Sequence, residues 1–513
     1  MSKNISNNKR IAKNVGVLYF RMIFQLLVSL YTSRVILQTL GFTDFGIYNV
    51  VGGVVGMFDF LNGSMGTATS RFLTFELGKN ESKERIRLVF STALIIHIII
   101  CVLVVLLSET IGLWYIENKL VIPEGRIYAT HIVYQCTIFT SVLAILNVPY
   151  NADIISHEKM NAFAYIAILE VLVNLIIVIS IQFVDLDRLI VYAICILLLK
   201  VGIRITYVIY CSKFFPETRG KICFDKDLFK KMASFAAWIM NGSLSVVCYT
   251  QGLNLLLNAF GGPIVNAARG IAVQVQSKIM GFCSNFQIAM SPQIIKKYAS
   301  GEITYMHSLV INSSKFSFLL IYFFSFPIIL EVSYILKLWL VEVPQYTKEF
   351  VVLTLCIGMI SSLQNPINTA IHATGNIKKF QLIEGTVSLL VLPVAYIALK
   401  LGYNPISVFV IQLSIFIILQ VIRVFIVCPA IQMRKMMYFT QVVWVLMKVV
   451  IPSALLVILI KYIMEDCNKI SEFIVVMLSS CIIIAFFTYC FALDSKLKLN
   501  FRLFIIKKIN SCL

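Results

Sequence analysis

Apolar residues run along this chain in stretches of about 20, separated by short polar segments, from one end to the other. At 1.5 Å per residue, a helix of about 20 residues crosses a hydrocarbon core of roughly 30 Å. The pattern predicts an all-α polytopic membrane protein of about fourteen transmembrane helices. They fall near 14–37, 45–70, 88–108, 127–150, 160–183, 188–210, 231–257, 264–290, 309–330, 349–371, 380–400, 404–428, 440–463 and 471–493. Two of them break the apolar pattern. The second carries Gly52-Gly53-Val54-Val55-Gly56 and the eighth carries Gln274-Val275-Gln276-Ser277-Lys278. Polar groups facing lipid are costly, so these two helices are expected to line an interior.

Composition agrees with a bilayer as solvent. Of 513 residues, 59% are hydrophobic and 13% charged, with a mean hydropathy of +0.88, against roughly a quarter charged in a soluble domain. The net charge of +19 would suit a nucleic-acid binder only if the basic residues formed a patch on a soluble face. They lie in short loops instead, so no nucleic-acid partner is expected and the charge reads as membrane orientation.

Alternate loops divide unequally. One set holds Lys9, Arg10 and Lys13, then Arg71, Lys79, Lys83, Arg85 and Arg87, and later Lys213, Arg219, Lys221, Lys226, Lys230 and Lys231. The same set continues with Lys296, Lys297, Lys378, Lys379, Arg434 and Lys435 and with a basic tail over 494–513. The opposite set holds little beyond Lys119, Arg126, Arg188, Lys337, Lys348, Lys400, Lys461 and Lys469. This bias predicts both termini and the 211–230 loop in the cytoplasm, with 258–263 and 401–405 outside. The polar, basic stretch from Met1 to Lys13 precedes an apolar segment too long for a signal peptide, so the first helix is expected to stay as an anchor.

An internal repeat is also visible. Asn49 and Asn266, Gly53 and Gly270, Pro149 and Pro366, Asn151 and Asn368, and Phe163 and Phe380 each stand 217 positions apart. That offset carries helix two onto eight, four onto ten and five onto eleven. Six crossings between copies imply a shared orientation and a pseudo-two-fold along the membrane normal. The expected organisation is a six-helix lobe over 1–210, a linker over 211–230, a second six-helix lobe over 231–433, and two further helices over 434–493.

No catalytic constellation stands out. Thirteen cysteines lie singly without a C-x-x-C pair, and His97, His131, His157, His307 and His372 show no ligand spacing. No metal, no cofactor and no enzymatic activity are therefore expected. Gly78-Lys79-Asn80-Glu81-Ser82 lacks the spacing of a phosphate-cradling loop. The informative residues are charges inside the helices, which usually face water or a partner. They are Arg21, Arg34, Asp59, Glu170, Lys200, Arg204, Arg269, Lys278, Glu384 and Arg423, and cations outnumber anions.

At about 100° per residue, Arg21, Gln25, Ser29 and Thr32 share one stripe of helix one. On helix eight Arg269, Gln276 and Gln287 share a face, and Gln274, Lys278 and Asn285 the opposite one. Arg34, Lys200, Arg204 and Arg423 read more simply as cations that pair with Asp59, Glu170 or Glu384 or snorkel to headgroups. Arg21, Arg269 and Lys278 read as cavity residues. The candidate binding set is thus Arg21, Arg269, Lys278, Arg34, Asp59, Gln25 and Gln276.

Three motifs carry a family resemblance: Leu40-Gly41-Phe42-Thr43-Asp44-Phe45-Gly46-Ile47-Tyr48, Ser70-Arg71-Phe72, and Ala373-Thr374-Gly375-Asn376. With the helix count and the lobe layout they resemble the polysaccharide-transport branch of the multidrug/oligosaccharidyl-lipid/polysaccharide (MOP) exporter superfamily, the Wzx-type O-antigen flippases. The resemblance implies a MATE/MOP-like fold in a bacterial inner membrane, with two bundles working by alternating access. The implied substrate is an undecaprenyl-pyrophosphate-linked oligosaccharide, with membrane lipids and other polysaccharide-assembly proteins as partners. On this reading Arg21 and Arg269 hold the pyrophosphate from opposite lobes and Lys278 adds a point charge. Two relatives offer rival readings, a peptidoglycan-precursor flippase and an ion-coupled multidrug exporter.

Overall fold

The computed structural model describes residues 2–56, 59–119, 122–220, 222–340, 342–464, 468–493 and 498. Among the described residues every regular element is helical. In chain order they are α1 (Asn14–Gly41), α2 (42–56 and Asp59–Lys79), α3 (Lys83–Asn118), α4 (Ile127–Ser156), α5 (Met160–Phe183), α6 (Arg188–Phe214) and α7 (Lys226–Gly262). There follow α8 (263–299), α9 (Ile303–Leu330), α10 (Thr347–Thr374), α11 (Lys378–Lys400), α12 (Ile406–Ala430), α13 (Lys435–Met464) and α14 (Lys469–Ala492).

Twelve of these are long and apolar enough to span a bilayer. The other two are α2, described in the two pieces 42–56 and Asp59–Lys79, and α8, whose amides and cations interrupt the apolar pattern. Against the expectation of about fourteen spans, twelve helices among the described residues meet this criterion.

The chain passes from α1 to α2 and from α7 to α8 with one non-helical residue at each bend, Gly41 at φ 76° and Gly262 at φ 73°. A side chain with a β-carbon is disfavoured at positive φ, so glycine is what lets the backbone turn there without a loop. Through a different use of glycine, α2 packs closely on its neighbours. A β-carbon at Gly66 would come within 3.3 Å of Val148 on α4, and one at Gly78 within 2.8 Å of the Lys296 Cα. Hydroxyls on the same helix find partners, Ser64 with Ser243 at 3.0 Å and Thr74 with Ser156 at 2.9 Å. Small residues and inter-helix hydrogen bonds are the usual means of association in lipid, where apolar burial alone supplies little driving force.

The chain divides into two compact units. The first comprises Met1–Leu244 with Ile288–Glu302, the second Ser245–Gln287 with Ile303–Leu513, so α7 and α8 each contribute to both. One core of the first unit gathers Val51, Val55, Ile116, Val133, Tyr134 and Leu189. The core of the second gathers Leu253, Leu257, Phe350, Val408 and Phe409, and takes in Val457 of α13 and Val476 and Ile484 of α14. The two helices beyond the repeat are thereby part of the second unit's core. Outward-facing side chains such as Leu106, Ile176, Leu198, Leu455 and Ile482 are exposed and apolar, as lipid contact requires.

Candidate substrate-binding site

In the first unit, Arg21 on α1 is half-buried, with its guanidinium carbon 4.5 Å from the centroid of the Phe163 ring on α5. Gln25, one turn on, is half-buried, and Arg34 is exposed. The side chain of Asp59 lies outside the described residues.

The remaining charges of this unit are engaged. Lys200 on α6 pairs with Glu170 on α5 at 2.5 Å. Arg204 donates to the Leu146 carbonyl at 2.5 Å and to Asn147 Oδ1 at 3.2 Å, and lies 4.4 Å above the Tyr150 ring. Pairing had been expected for Lys200. For Arg204 the partners are a backbone carbonyl and an amide on α4 rather than a carboxylate.

In the second unit, Arg269 on α8 is 6% exposed. Its Nη2 donates to the Thr250 carbonyl on α7 at 3.0 Å, and its Nε is buried without a hydrogen-bond partner among the described residues. Gln276, on the same face, packs on α10, where a β-carbon at Gly358 would lie 3.3 Å from its Nε2. Gln287 completes the face by donating to Ser317 Oγ at 3.0 Å and to the Ser362 carbonyl at 2.9 Å. The opposite face holds Gln274 and Lys278, both exposed, with Asn285 buried below them. Arg423 on α12 is bound to Glu384 on α11, its Nε and Nη2 lying 3.1 Å and 2.8 Å from one carboxylate oxygen. Gln364 donates to the same oxygen at 2.7 Å.

The side-chain oxygens of Asn151 and Asn368, which stand 217 positions apart, are both buried without a hydrogen-bond partner among the described residues. The ion pairs Lys200–Glu170 and Arg423–Glu384 join corresponding helices, the fifth to the sixth and the eleventh to the twelfth.

Two of the three motifs prove to be a bend and a helix end, and Ser70-Arg71-Phe72 lies within α2. Gly41 makes the α1–α2 bend, and Asp44 just after it, 5% exposed, accepts from Arg126 Nε at 2.8 Å. Arg126 also pairs with Asp187 at 2.5 Å, so one guanidinium joins the starts of α2, α4 and α6. Burial lowers the pKa of Arg126, but the two carboxylates outweigh it and hold the pKa above the ordinary arginine value. Arg71, 7% exposed, lies within 4.6 Å of the Phe72 and Phe75 rings. Gly375 ends α10 at φ 81°, and Thr374 Oγ1 accepts from the Asn376 amide at 3.3 Å.

Sequence reasoning missed two further groups. Glu158, just past α4 at φ 58°, accepts from Lys296 at 2.8 Å and from Gln293, both near the end of α8. Asp153, His157 and Glu217 converge within 4.8 Å. Only the i, i+4 spacing of Asp153 and His157 was readable in advance; Glu217 lies 60 residues later in the chain.

Twelve apolar helices long enough to cross a bilayer among the described residues define a multi-pass membrane protein. Solved structures share the fold. A MATE structure in the bent conformation superimposes with a TM-score of 0.70 at 14% identity, over 83% of this chain and 96% of that one. An outward-facing multidrug resistance MATE family transporter of the MOP superfamily gives 0.69 at 13% identity, over 82% and 96%. A MOP superfamily transporter from Pyrococcus furiosus Vc1 (DSM3638), described as having reverse polarity of its binding pocket, gives 0.64 at 14% identity over 82% and 96%. No curated protein matches significantly in sequence. The chain belongs to the polysaccharide biosynthesis protein family, whose sequence profile matches residues 11–285.

Proposed function

We propose that this protein is a flippase that moves an undecaprenyl-pyrophosphate-linked oligosaccharide, such as an O-antigen repeat unit, across the bacterial inner membrane by alternating access. The observation that carries the reading is the coincidence of a polysaccharide-biosynthesis family match over more than half the chain with the fold of exporters. The charge inventory supports it. Lys200, Arg204 and Arg423 are held by neighbouring groups, and Arg21, Arg269 and Lys278 are the cations assigned to the substrate on this reading. A cationic site selects an anionic headgroup, and guanidinium holds phosphate oxygens in two-point contact.

Two further features bear on the rival readings. Glu170 and Glu384 are each paired with a cation, which argues against their coupling the export of organic cations. A peptidoglycan-precursor flippase remains the second reading, since it would need the same anionic-headgroup chemistry. Proteoliposomes loaded with defined pyrophosphate-linked glycans separate the two. Translocation of O-antigen-type repeat units is expected; transport restricted to the peptidoglycan precursor, or to organic cations, would replace this proposal with the corresponding rival.

The orientation belongs to the same proposal, with both termini in the cytoplasm. Cys223, exposed in the loop between α6 and α7, serves as a native reporter in a chain stripped of its other cysteines. Gly220 is unsuitable because its φ is +96° and a β-carbon there would strike Arg87. Cys223 is expected to react with an impermeant maleimide only from the cytoplasmic side, and Tyr403→Cys only from outside. The reverse pattern would overturn the charge-based orientation.

A further inference from the structure

The last residues of α4 and the turn that follows α6 bring three metal-ligating side chains together inside the first unit. Asp153 sits one turn before the end of α4, His157 caps that end, and Glu217 lies on the short helical turn Pro216–Thr218. His157 Nε2 is 2.5 Å from Glu217 Oε1 and 3.7 Å from Asp153 Oδ1, and its ring stacks on Phe215 with centroids 4.3 Å apart.

Asp153 is the anomaly. Its side chain is fully buried, and neither carboxylate oxygen has a hydrogen-bond partner among the described residues. A bare carboxylate in such a place costs several kcal/mol, a cost that protonation or a bound cation removes. The contrast with Glu158, five residues on, is direct. Glu158 is equally buried but has Lys296 and Gln293 as partners. The carbonyl end of the α4 dipole adds negative potential at the cluster.

We propose that Asp153, His157 and Glu217 form a binding site for a divalent transition-metal cation of the Zn²⁺ class. The charges balance, since neutral imidazole and two carboxylates around a dication sum to zero. An imidazole donor favours zinc-like ions over Mg²⁺ and Ca²⁺, which take oxygen ligands. A tetrahedral ion with bonds of about 2.0 Å sets its donors about 3.3 Å apart. The Asp153–His157 separation of 3.7 Å is close to this, and Glu217 must move back by roughly 1 Å. Water would fill the fourth position.

The site is not a requirement of the repeated scaffold. At the 217-residue offset its three positions are Ala370, Thr374 and Arg434. Its effect would be local, pinning the end of α4 to the start of the segment that leads from α6 to α7.

Full-length protein in detergent, freed of any histidine tag, tests this directly. After exposure to excess ZnCl₂ and desalting it is expected to retain one Zn²⁺ per chain, with uptake unaffected by excess Mg²⁺. Asp153→Asn, which removes charge but keeps shape, should weaken Zn²⁺ binding at least tenfold in calorimetry, and the exposed Glu117→Gln should not. If Asp153→Asn is not recovered monodisperse, His157→Gln, half-buried at the helix end, carries the same comparison. Retention below about a tenth of an ion per chain, or undiminished binding in a folded variant, would overturn the site and leave Asp153 as a neutral buried acid. The readout is metal content, so it does not depend on the transport activity.

Discussion

Glu384→Gln is expected to destabilise the second unit by about 3–5 kcal/mol, because it leaves the Arg423 guanidinium buried without its counter-charge. Arg423 is 3% exposed and Glu384 8%. Two of the guanidinium's nitrogens converge on one carboxylate oxygen, and its Nη1 lies 3.3 Å from Gln420 Oε1. A neutral amide oxygen can still accept from the guanidinium but cannot offset its charge. Arg423→Gln combined with Glu384→Gln should recover most of the loss, since no bare charge then remains.

Glu170→Gln provides the comparison. There the pair with Lys200 is about 30% exposed on each side, so the unpaired lysine is less enclosed by protein and the cost should be smaller than at Arg423. Thermal unfolding in a fixed detergent, followed by monodispersity, reads all three variants. A double variant no more stable than Glu384→Gln alone, or equal losses at the two pairs, would show that burial of charge is not what makes the Arg423 pair matter.

Arg21→Gln and Arg269→Gln together are expected to reduce translocation of the pyrophosphate-linked glycan at least a hundredfold while the protein stays folded and inserted. Each charge-assisted hydrogen bond to phosphate is worth about 1.5–3 kcal/mol, and two of them exceed a factor of a hundred. Arg269 Nη2 donates to the Thr250 carbonyl, and its Nε is buried without a hydrogen-bond partner among the described residues. Arg21 lies over the Phe163 ring, its guanidinium carbon 4.5 Å from the centroid. Lys278→Gln, removing an exposed point charge, should cost about tenfold, and lysine at position 21 or 269 should restore part of the activity. Unchanged transport by the double variant would eliminate these arginines as substrate contacts. Loss of folded protein from Arg269→Gln alone would instead assign Arg269 to holding the α7–α8 bend.

The ion pairs show where sequence reasoning stops. Lys200 and Glu170 are 30 residues apart, Arg423 and Glu384 are 39 apart, and Arg126 reaches carboxylates 82 residues before it and 61 after it. Hydropathy places Lys200, Glu170, Arg423 and Glu384 on separate helices and Arg126 in a loop. It carries no information about how neighbouring helices are rotated, and rotation decides which charges meet. The Asp153–His157–Glu217 cluster escaped for the same reason, because Glu217 belongs to a turn that only packing against α4 brings near. The Leu40–Tyr48 motif was legible as a family mark but not as a device. Its role as a glycine bend followed by a carboxylate for Arg126 depends on where α4 and α6 begin.

Helix eight divides the two kinds of knowledge most clearly. Its amides and cations, spaced at the helical period, determined by themselves that the segment would be helical, too polar for lipid, and two-faced, with Arg269, Gln276 and Gln287 on one side and Gln274 and Lys278 on the other. A period is symmetric between opposite faces, so it could not say which one turns inward. The tertiary structure decided that: α10 and the Thr250 carbonyl cover the Arg269 face, and Lys278 is left exposed. The physical reason is that local spacing fixes angles within one helix, whereas burial is a property of what the rest of the chain brings against it.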